Sequence, residues 1–187
     1  MEFVQPIRDI KQIETIKKLL KQQSMRDYCL FVLGINSGLR ISDLLKLRIS
    51  DVSEKGKVKD RIRLREKKTN KFKDFPISEN AKRAIKEYLQ TRTINENEPL
   101  FISRKTKGIL MWQRAYWILN EAARSIGIKE KIGTHTLRKT FGYHAYKNGY
   151  DIEIIQKLFN HSSPSITLRY IGITQDNLDD VYLSLDL

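Results

Sequence analysis

Between Val58 and Ile77 the apolar pattern leaves a helical period for alternation. Ile62 and Leu64 alternate with Arg61, Arg63 and Arg65 on the way to Glu66, and a second extended segment is expected from Phe72 to Ile77, after the turn-like Lys68-Thr69-Asn70-Lys71. Alternation puts successive side chains on opposite faces, so the stretch predicts a β-hairpin with one apolar and one basic face. Around it the apolar residues recur at helical spacing. The expected class is therefore mainly α with a small antiparallel β-sheet, an α+β fold.

The helical segments can be bounded from their breaks. Residues 7–22 place Ile10, Ile13, Ile16, Leu19 and Leu20 at helical spacing with lysines between them. A nearly continuous apolar helix follows from about Arg26, and Gly38 stands where a left-handed C-terminal cap belongs. Residues 79–91 put Ala81, Ala84, Ile85, Tyr88 and Leu89 on one face against Lys82, Arg83 and Lys86 on the other. Leu100 to Ile102 is expected as a short edge strand. In residues 111–126 the stripe Trp112, Ala115, Tyr116, Leu119, Ala122, Ala123 and Ile126 assigns its aromatics to the core. Thr134 is read as the N-cap of a helix that runs to about Asn148 and stops at Gly149. Asp151 caps a short helix through Phe159, and Ser163-Pro164 reads as N-cap and first residue of another that carries Tyr170 near its end. Leu178, Val181, Tyr182 and Leu185 predict a tail helix over 175–187. At 187 residues the chain suits one domain, 1–187.

Thirty-five Lys and Arg against 22 Asp and Glu give a formal charge of +13. Such an excess favours a polyanion, and nucleic acid before membrane, because neutralising phosphates releases condensed counterions. The only cysteine, Cys29, lies in an apolar run and reads as a core residue. No intrachain disulfide can form, which points to a reducing compartment. With no apolar run of membrane-spanning length and no apolar N-terminal leader, the expectation is a cytoplasmic, nucleoid-associated protein with no membrane partner.

Several polar residues sit where a site can be built. Arg40 directly follows the glycine break, free to leave the helical surface, with Asp43 in reach to orient it or the backbone around it. Lys68 lies at the hairpin end. His135 and Arg138, three apart in a first helical turn, share a face beside N–H groups that favour an anion. His161 falls in a turn nine residues before Tyr170. Singly, these also read as a surface arginine, a solvated hairpin, a cap, a turn histidine and a half-buried aromatic. His144 is left as an ordinary histidine.

Their order is what carries information. Ser37-Gly38-Leu39-Arg40-Ile41-Ser42-Asp43, Lys68 eight residues before Pro76, His135-Thr136-Leu137-Arg138, Asn160-His161-Ser162-Ser163 and Arg169-Tyr170 resemble, over nearly the whole chain, the catalytic domain of the tyrosine recombinases, the phage integrase family. The resemblance implies a site-specific DNA recombinase that breaks and rejoins double-stranded DNA through a 3′-phosphotyrosyl link. It casts Tyr170 as nucleophile, His135 as general base, Arg40 and Arg138 as clamps on the non-bridging oxygens, His161 as a further donor and Lys68 as the acid that protonates the 5′ oxygen, with Asp43 in support. The hairpin cations Arg61, Arg63, Arg65, Lys67, Lys71 and Lys73 would lie along the DNA backbone. Neither metal nor ATP is expected, and the chain would be a monomer in solution and a tetramer on synapsed DNA. Two departures stand out: Asn160 replaces the family's usual glycine, and the usual N-terminal DNA-binding domain is expected to be absent. The competing expectation is a DNA-binding regulator or accessory factor that keeps the fold without strand exchange.

Overall fold

A computed structural model describes residues 4–173 and Leu183. Asp9 accepts the Lys11 N–H and starts α1 (Ile10–Gln23), which buries Ile13, Ile16 and Leu20 and leaves Ile10 exposed. Helix α2 (Met25–Ser37) is buried from Arg26 through Gly34, as its continuous apolar run requires, and α1 packs along it. It ends at Gly38, whose φ of 61° is left-handed. A Cβ there would also stand 2.7 Å from the Phe141 ring, so glycine is needed for conformation and for space alike. Arg40, in extended backbone, opens the short α3 (Ile41–Leu44).

Helix α4 (Ile49–Val52) and a minimal antiparallel pair, β1 (Ser53–Glu54) with β2 (Lys57–Val58), precede the expected hairpin. The hairpin itself is β3 (Arg61–Arg65) against β4 (Phe72–Pro76), antiparallel, with Ile62 opposite Phe75 and Leu64 opposite Lys73. In β3 the faces are as the alternation predicts: Ile62 is buried and the three arginines are exposed. Strand β4 differs, since Phe72 faces solvent and Lys73 turns inward.

Ser78 caps α5 (Glu79–Leu89), whose expected apolar face packs on α2. Leu100 to Ile102 does not form the expected edge strand. Leu100 and Phe101 are fully buried, and the turn at 103–108 leaves room for one isolated bridge, Ile102 to Ile109. In α6 (Trp112–Ser125) the buried stripe runs through Ala115, Ile118, Leu119, Ala122 and Ala123. Trp112 and Tyr116 are 55% and 40% exposed, which corrects their assignment to the core. Ala115, Ile118, Leu119 and Ala122 take the inner face at the i, i+3, i+4 and i+7 positions, and the bulky rings fall on its flank.

Helices α7 (Thr136–Lys147), α8 (Ile152–Phe159) and α9 (Pro164–Ile171) enclose a second cluster of Tyr143, Ile155, Phe159 and Ile171. Gly142 makes this possible, because a Cβ there would lie 2.7 Å from both Ile171 and Phe159. His135, not Thr134, occupies the N-cap position of α7. The Thr136 hydroxyl instead accepts the Gly133 N–H and donates to the Gln5 carbonyl, so the N-terminal segment fixes this turn. Asp151, Ser163 and Pro164 cap α8 and α9 as expected. The tail helix expected over 175–187 lies outside the described residues apart from Leu183. Among the described residues no helix is long and apolar enough to cross a membrane.

Candidate active site

Arg138 joins the N-terminal half of the site to its C-terminal half. Its side chain is buried, Nη1 donates to the Gly38 carbonyl, and Nη2 donates to the Phe159 carbonyl at 2.8 Å. The guanidinium also stacks 4.2 Å from the Phe159 ring centre. Two helix ends that are far apart in sequence, those of α2 and α8, thus meet on one cation. Burial and then the Arg40 charge lower its pKa, against the opposing influence of Tyr170. Arginine nonetheless stays charged at neutral pH.

Tyr170 reaches the same point from α9. Its hydroxyl lies 3.1 Å from His135 Nδ1. Its ring meets those of His161 and Phe159 edge to face, with centres 4.9 and 5.7 Å away. Burial raises the pKa of the phenol, while the charges of Arg138 and Arg40 pull it back. His135 is pushed below the ordinary imidazole range, first by partial desolvation of its ring and then by the charges of Lys139, Arg138, Arg40 and Lys68. A neutral imidazole is a proton acceptor, and 3.1 Å is within hydrogen-bond reach of a phenol.

His161 sits in the turn between α8 and α9, where Asn160 adopts the left-handed conformation (φ 53°) that asparagine tolerates. Its Nδ1 lies 3.1 Å from the Thr167 hydroxyl. Desolvation, then Arg138 and Arg40, lower its pKa to about 4. An unfolded histidine titrates near ~6.5. Between those values the unfolded chain binds a proton that the folded chain refuses, so stability present above the unfolded pKa is lost as pH falls toward the folded one. The urea midpoint is expected to drop between pH 7 and pH 5, and to drop less in His161→Gln. Equal slopes would contradict this assignment.

The hairpin closes the site from the other side. Lys68 is exposed at its tip, near enough for its charge to bear on His135 but outside the buried cluster. Asp43 meets Arg40 through the backbone, its N–H donating to the Arg40 carbonyl at 2.9 Å, while its carboxylate Oδ1 accepts the backbone N–H of Lys67 at 2.9 Å and so fixes the hairpin. Arg61 and Arg63 share Asp74, and Arg65 donates to the Asn70 carbonyl, all on the exposed face. Lys67 is exposed, and Lys71 donates to Asn160 Oδ1 at 3.2 Å. Lys73 parts from this set, donating inward to the Leu158 carbonyl at 2.9 Å.

One residue was missed. Glu66 is 1% exposed, with Arg40 Nη1 2.9 Å and Lys73 Nζ 3.3 Å from its Oε1. Its Oε2 accepts from Thr69 at 2.6 Å and from Asn160 at 3.1 Å. Burial pushes this carboxyl up, but the Thr69 hydrogen bond and the ion pairs with Arg40 and Lys73 outweigh it and hold the pKa at about 2. The signal was present: Glu66 continues the inward phase of Ile62 and Leu64, where a carboxylate needs partners. Cys29 and His144 lie apart from the site, the first in the core with its thiol pushed up by burial, the second bonded to the Ile7 carbonyl. Among the described residues no three His, Cys, Asp or Glu side chains are grouped to hold a metal ion.

Residues 8–176 match the phage integrase family. The chain is 48% identical over 182 residues to the probable integrase/recombinase YoeC of Bacillus subtilis (strain 168), with 97% of each chain covered. It is 36% identical to the tyrosine recombinase XerC of Thermodesulfovibrio yellowstonii, over 84% of this chain and 53% of that one. With the tyrosine recombinase XerA of Pyrococcus furiosus it shares 35% identity, over 89% of this chain and 58% of that one. The chain therefore spans little more than half the length of these last two relatives. Among solved structures, a XerA recombinase superposes with a TM-score of 0.75 at 22% identity, over 96% of this chain and 63% of that one. A XerH recombinase bound to palindromic difH substrate, a post-cleavage complex, gives 0.73 at 19% identity, over 100% of this chain and 54% of that one. These likenesses are of fold.

Proposed function

Because the chain belongs to the phage integrase family, we propose that it is a site-specific DNA recombinase that works through a phosphotyrosyl intermediate. The observation that carries this reading is the Tyr170 hydroxyl, 3.1 Å from His135 and within the influence of Arg138 and Arg40. Tyr170 Oη attacks the scissile phosphorus and gives its proton to His135 Nδ1, as the bond from phosphorus to the 5′ oxygen breaks. Lys68 protonates that oxygen, which is otherwise a poor alkoxide leaving group. A guanidinium carries five N–H donors. Arg40 and Arg138 therefore keep donors for the two non-bridging oxygens beyond those that hold them in place, and these bonds strengthen as charge builds in the transition state. His161 adds a further donor through the ring nitrogen not held by Thr167.

Rejoining reverses the steps. A 5′ hydroxyl attacks the 3′-phosphotyrosine, Lys68 takes back its proton, and Tyr170 leaves with the proton held on His135. The protein–DNA bond conserves the phosphodiester energy, so no nucleotide hydrolysis is required. The arginines and Lys68 supply the charge neutralisation that metal ions supply in other phosphoryl-transfer sites. The formal charge of +13 and the exposed Arg61, Arg63, Arg65, Lys67 and Lys71 suit a duplex backbone. Exchange between two duplexes needs one active chain for each strand cut, which makes a tetramer on synapsed DNA the working form and a monomer the free one.

The test is incubation with nicked cognate duplex in EDTA, without nucleotide. A band that resists denaturation and carries both protein and DNA is expected. Salt-dependent DNA binding with no such band would instead identify a DNA-binding regulator that keeps the fold.

A further inference from the structure

Lys68 presents a problem that its own side chain does not solve. A general acid must be held within a fraction of an ångström of the oxygen it protonates, yet Lys68 is exposed at the tip of a two-stranded hairpin. Its two neighbours are anchored instead. On one side the Lys67 N–H donates to Asp43 Oδ1, and on the other the Thr69 hydroxyl donates to Glu66 Oε2 at 2.6 Å. Glu66 closes the turn through its backbone as well, its carbonyl accepting the Asn70 N–H at 3.0 Å and its N–H donating to the Lys71 carbonyl at 2.9 Å. The same buried carboxylate touches Arg40, which opens α3, and Asn160, which precedes His161. Three segments that carry the site therefore converge on Glu66.

We propose that Glu66 is a positioning residue for Lys68: through the Thr69 hydroxyl it clamps the hairpin turn to the Arg40 and Asn160 floor, so that the ammonium is aimed at the 5′ oxygen. Lys73, on the opposing strand, supplies the second cation against the carboxylate. A buried carboxylate between two cations is costly to move, and so it serves as a fixed point for a flexible loop. This inference rests on Lys68 being the proton donor.

The experiment separates positioning of the acid from a general loss of structure. Cleavage is measured on an ordinary phosphodiester and on a substrate whose bridging 5′ oxygen is sulfur. A thiolate leaves with a conjugate-acid pKa near ~8.5, against roughly 15.7 for water as a guide to an alkoxide, and so requires little help from an acid. Thr69→Val and Glu66→Gln are expected to slow oxygen-ester cleavage about 10²-fold, the cost of an ångström-scale misplacement. On the sulfur ester Thr69→Val should cleave near the wild-type rate, Glu66→Gln should recover only in part because it also loses the Arg40 ion pair, and Thr69→Ser should stay near wild type on both substrates. Thr69→Val leaves the carboxylate and its cations in place, so it reads the clamp even if Glu66→Gln folds poorly. Equal slowing of Thr69→Val on the two esters, or no slowing on either, would overturn the proposal. Lys68→Ala is the control for the premise: if sulfur does not rescue it, the assignment of Lys68 fails, whatever Glu66 does.

Discussion

Tyr170→Phe is expected to eliminate the covalent protein–DNA adduct while leaving folding and DNA binding at wild-type levels. The substitution removes one oxygen and keeps the ring, whose edge-to-face contacts with His161 and Phe159 hold α9 against α7 and α8. The hydroxyl lies 3.1 Å from His135 Nδ1, and the charges of Arg138 and Arg40 favour its ionisation. Since a free tyrosine titrates near ~10 and burial raises this one further, the hydroxyl is inert without that help. DNA binding should persist because the substitution leaves the exposed hairpin cations, proposed to meet the backbone, untouched. Denaturing electrophoresis and a salt-dependent gel shift on the same preparation check both halves. An adduct that survives in Tyr170→Phe would remove Tyr170 from the mechanism.

Arg138→Ala carries the second largest effect and acts in two ways. Its absence from the transition state should slow cleavage by about 10²–10³-fold, by analogy with loss of one oxyanion donor. It also strands the buried carbonyls of Gly38 and Phe159, at about 1–3 kcal/mol for each group left unsatisfied. The urea midpoint should therefore fall along with the rate. Arg138→Lys does not restore either property, because a single ammonium on a flexible stem does not reproduce a fork that spans two carbonyls and stacks on Phe159. Arg40→Ala is the useful comparison. It should cost as much in rate and less in stability, since Glu66 keeps Thr69, Asn160 and Lys73 as partners. Equal stability of Arg138→Ala and wild type would show that this cation does not hold the two halves together.

Much of this architecture was legible in the sequence because local rules agree with the fold. The alternation in residues 61–65 does produce a strand with a basic outer face, Gly38 does end α2 in the left-handed region, and Asp151 and Ser163-Pro164 do start the helices that carry the C-terminal half. Elements shorter than one period were not legible. Helix α4 and the β1–β2 pair span four and two residues each, too few to show a repeat. Trp112 and Tyr116 sit on the edge of a stripe whose true centre is Ala115, Ile118 and Ala122, a distinction that depends on the shape of the neighbour.

The site was legible as a set of residues and not as an assembly. Sequence order brought forward Arg40, Lys68, His135, Arg138, His161 and Tyr170, but nothing local states that Arg138 bonds a carbonyl 100 residues away. Nor does it state that the Asp43 carboxylate serves the hairpin and not the Arg40 guanidinium. Glu66 escaped notice because it lies inside a run of charges, Arg65-Glu66-Lys67-Lys68, and looks solvated. Its burial follows only from the strand's phase, and its partners only from the packing of α3 and the Asn160 turn against the hairpin.

The most direct measurement is the chemistry of the bond itself. After cleavage of a nicked duplex, the DNA is trimmed with nuclease and the protein is mapped by mass spectrometry, while the opposite strand end is tested for a free hydroxyl. The prediction is a nucleotide joined through its 3′ phosphate to the peptide containing Tyr170, and a 5′ hydroxyl on the released strand. A nucleotide on any other residue, or a linkage through a 5′ phosphate, would contradict the site built around Tyr170, His135, Arg138 and Arg40.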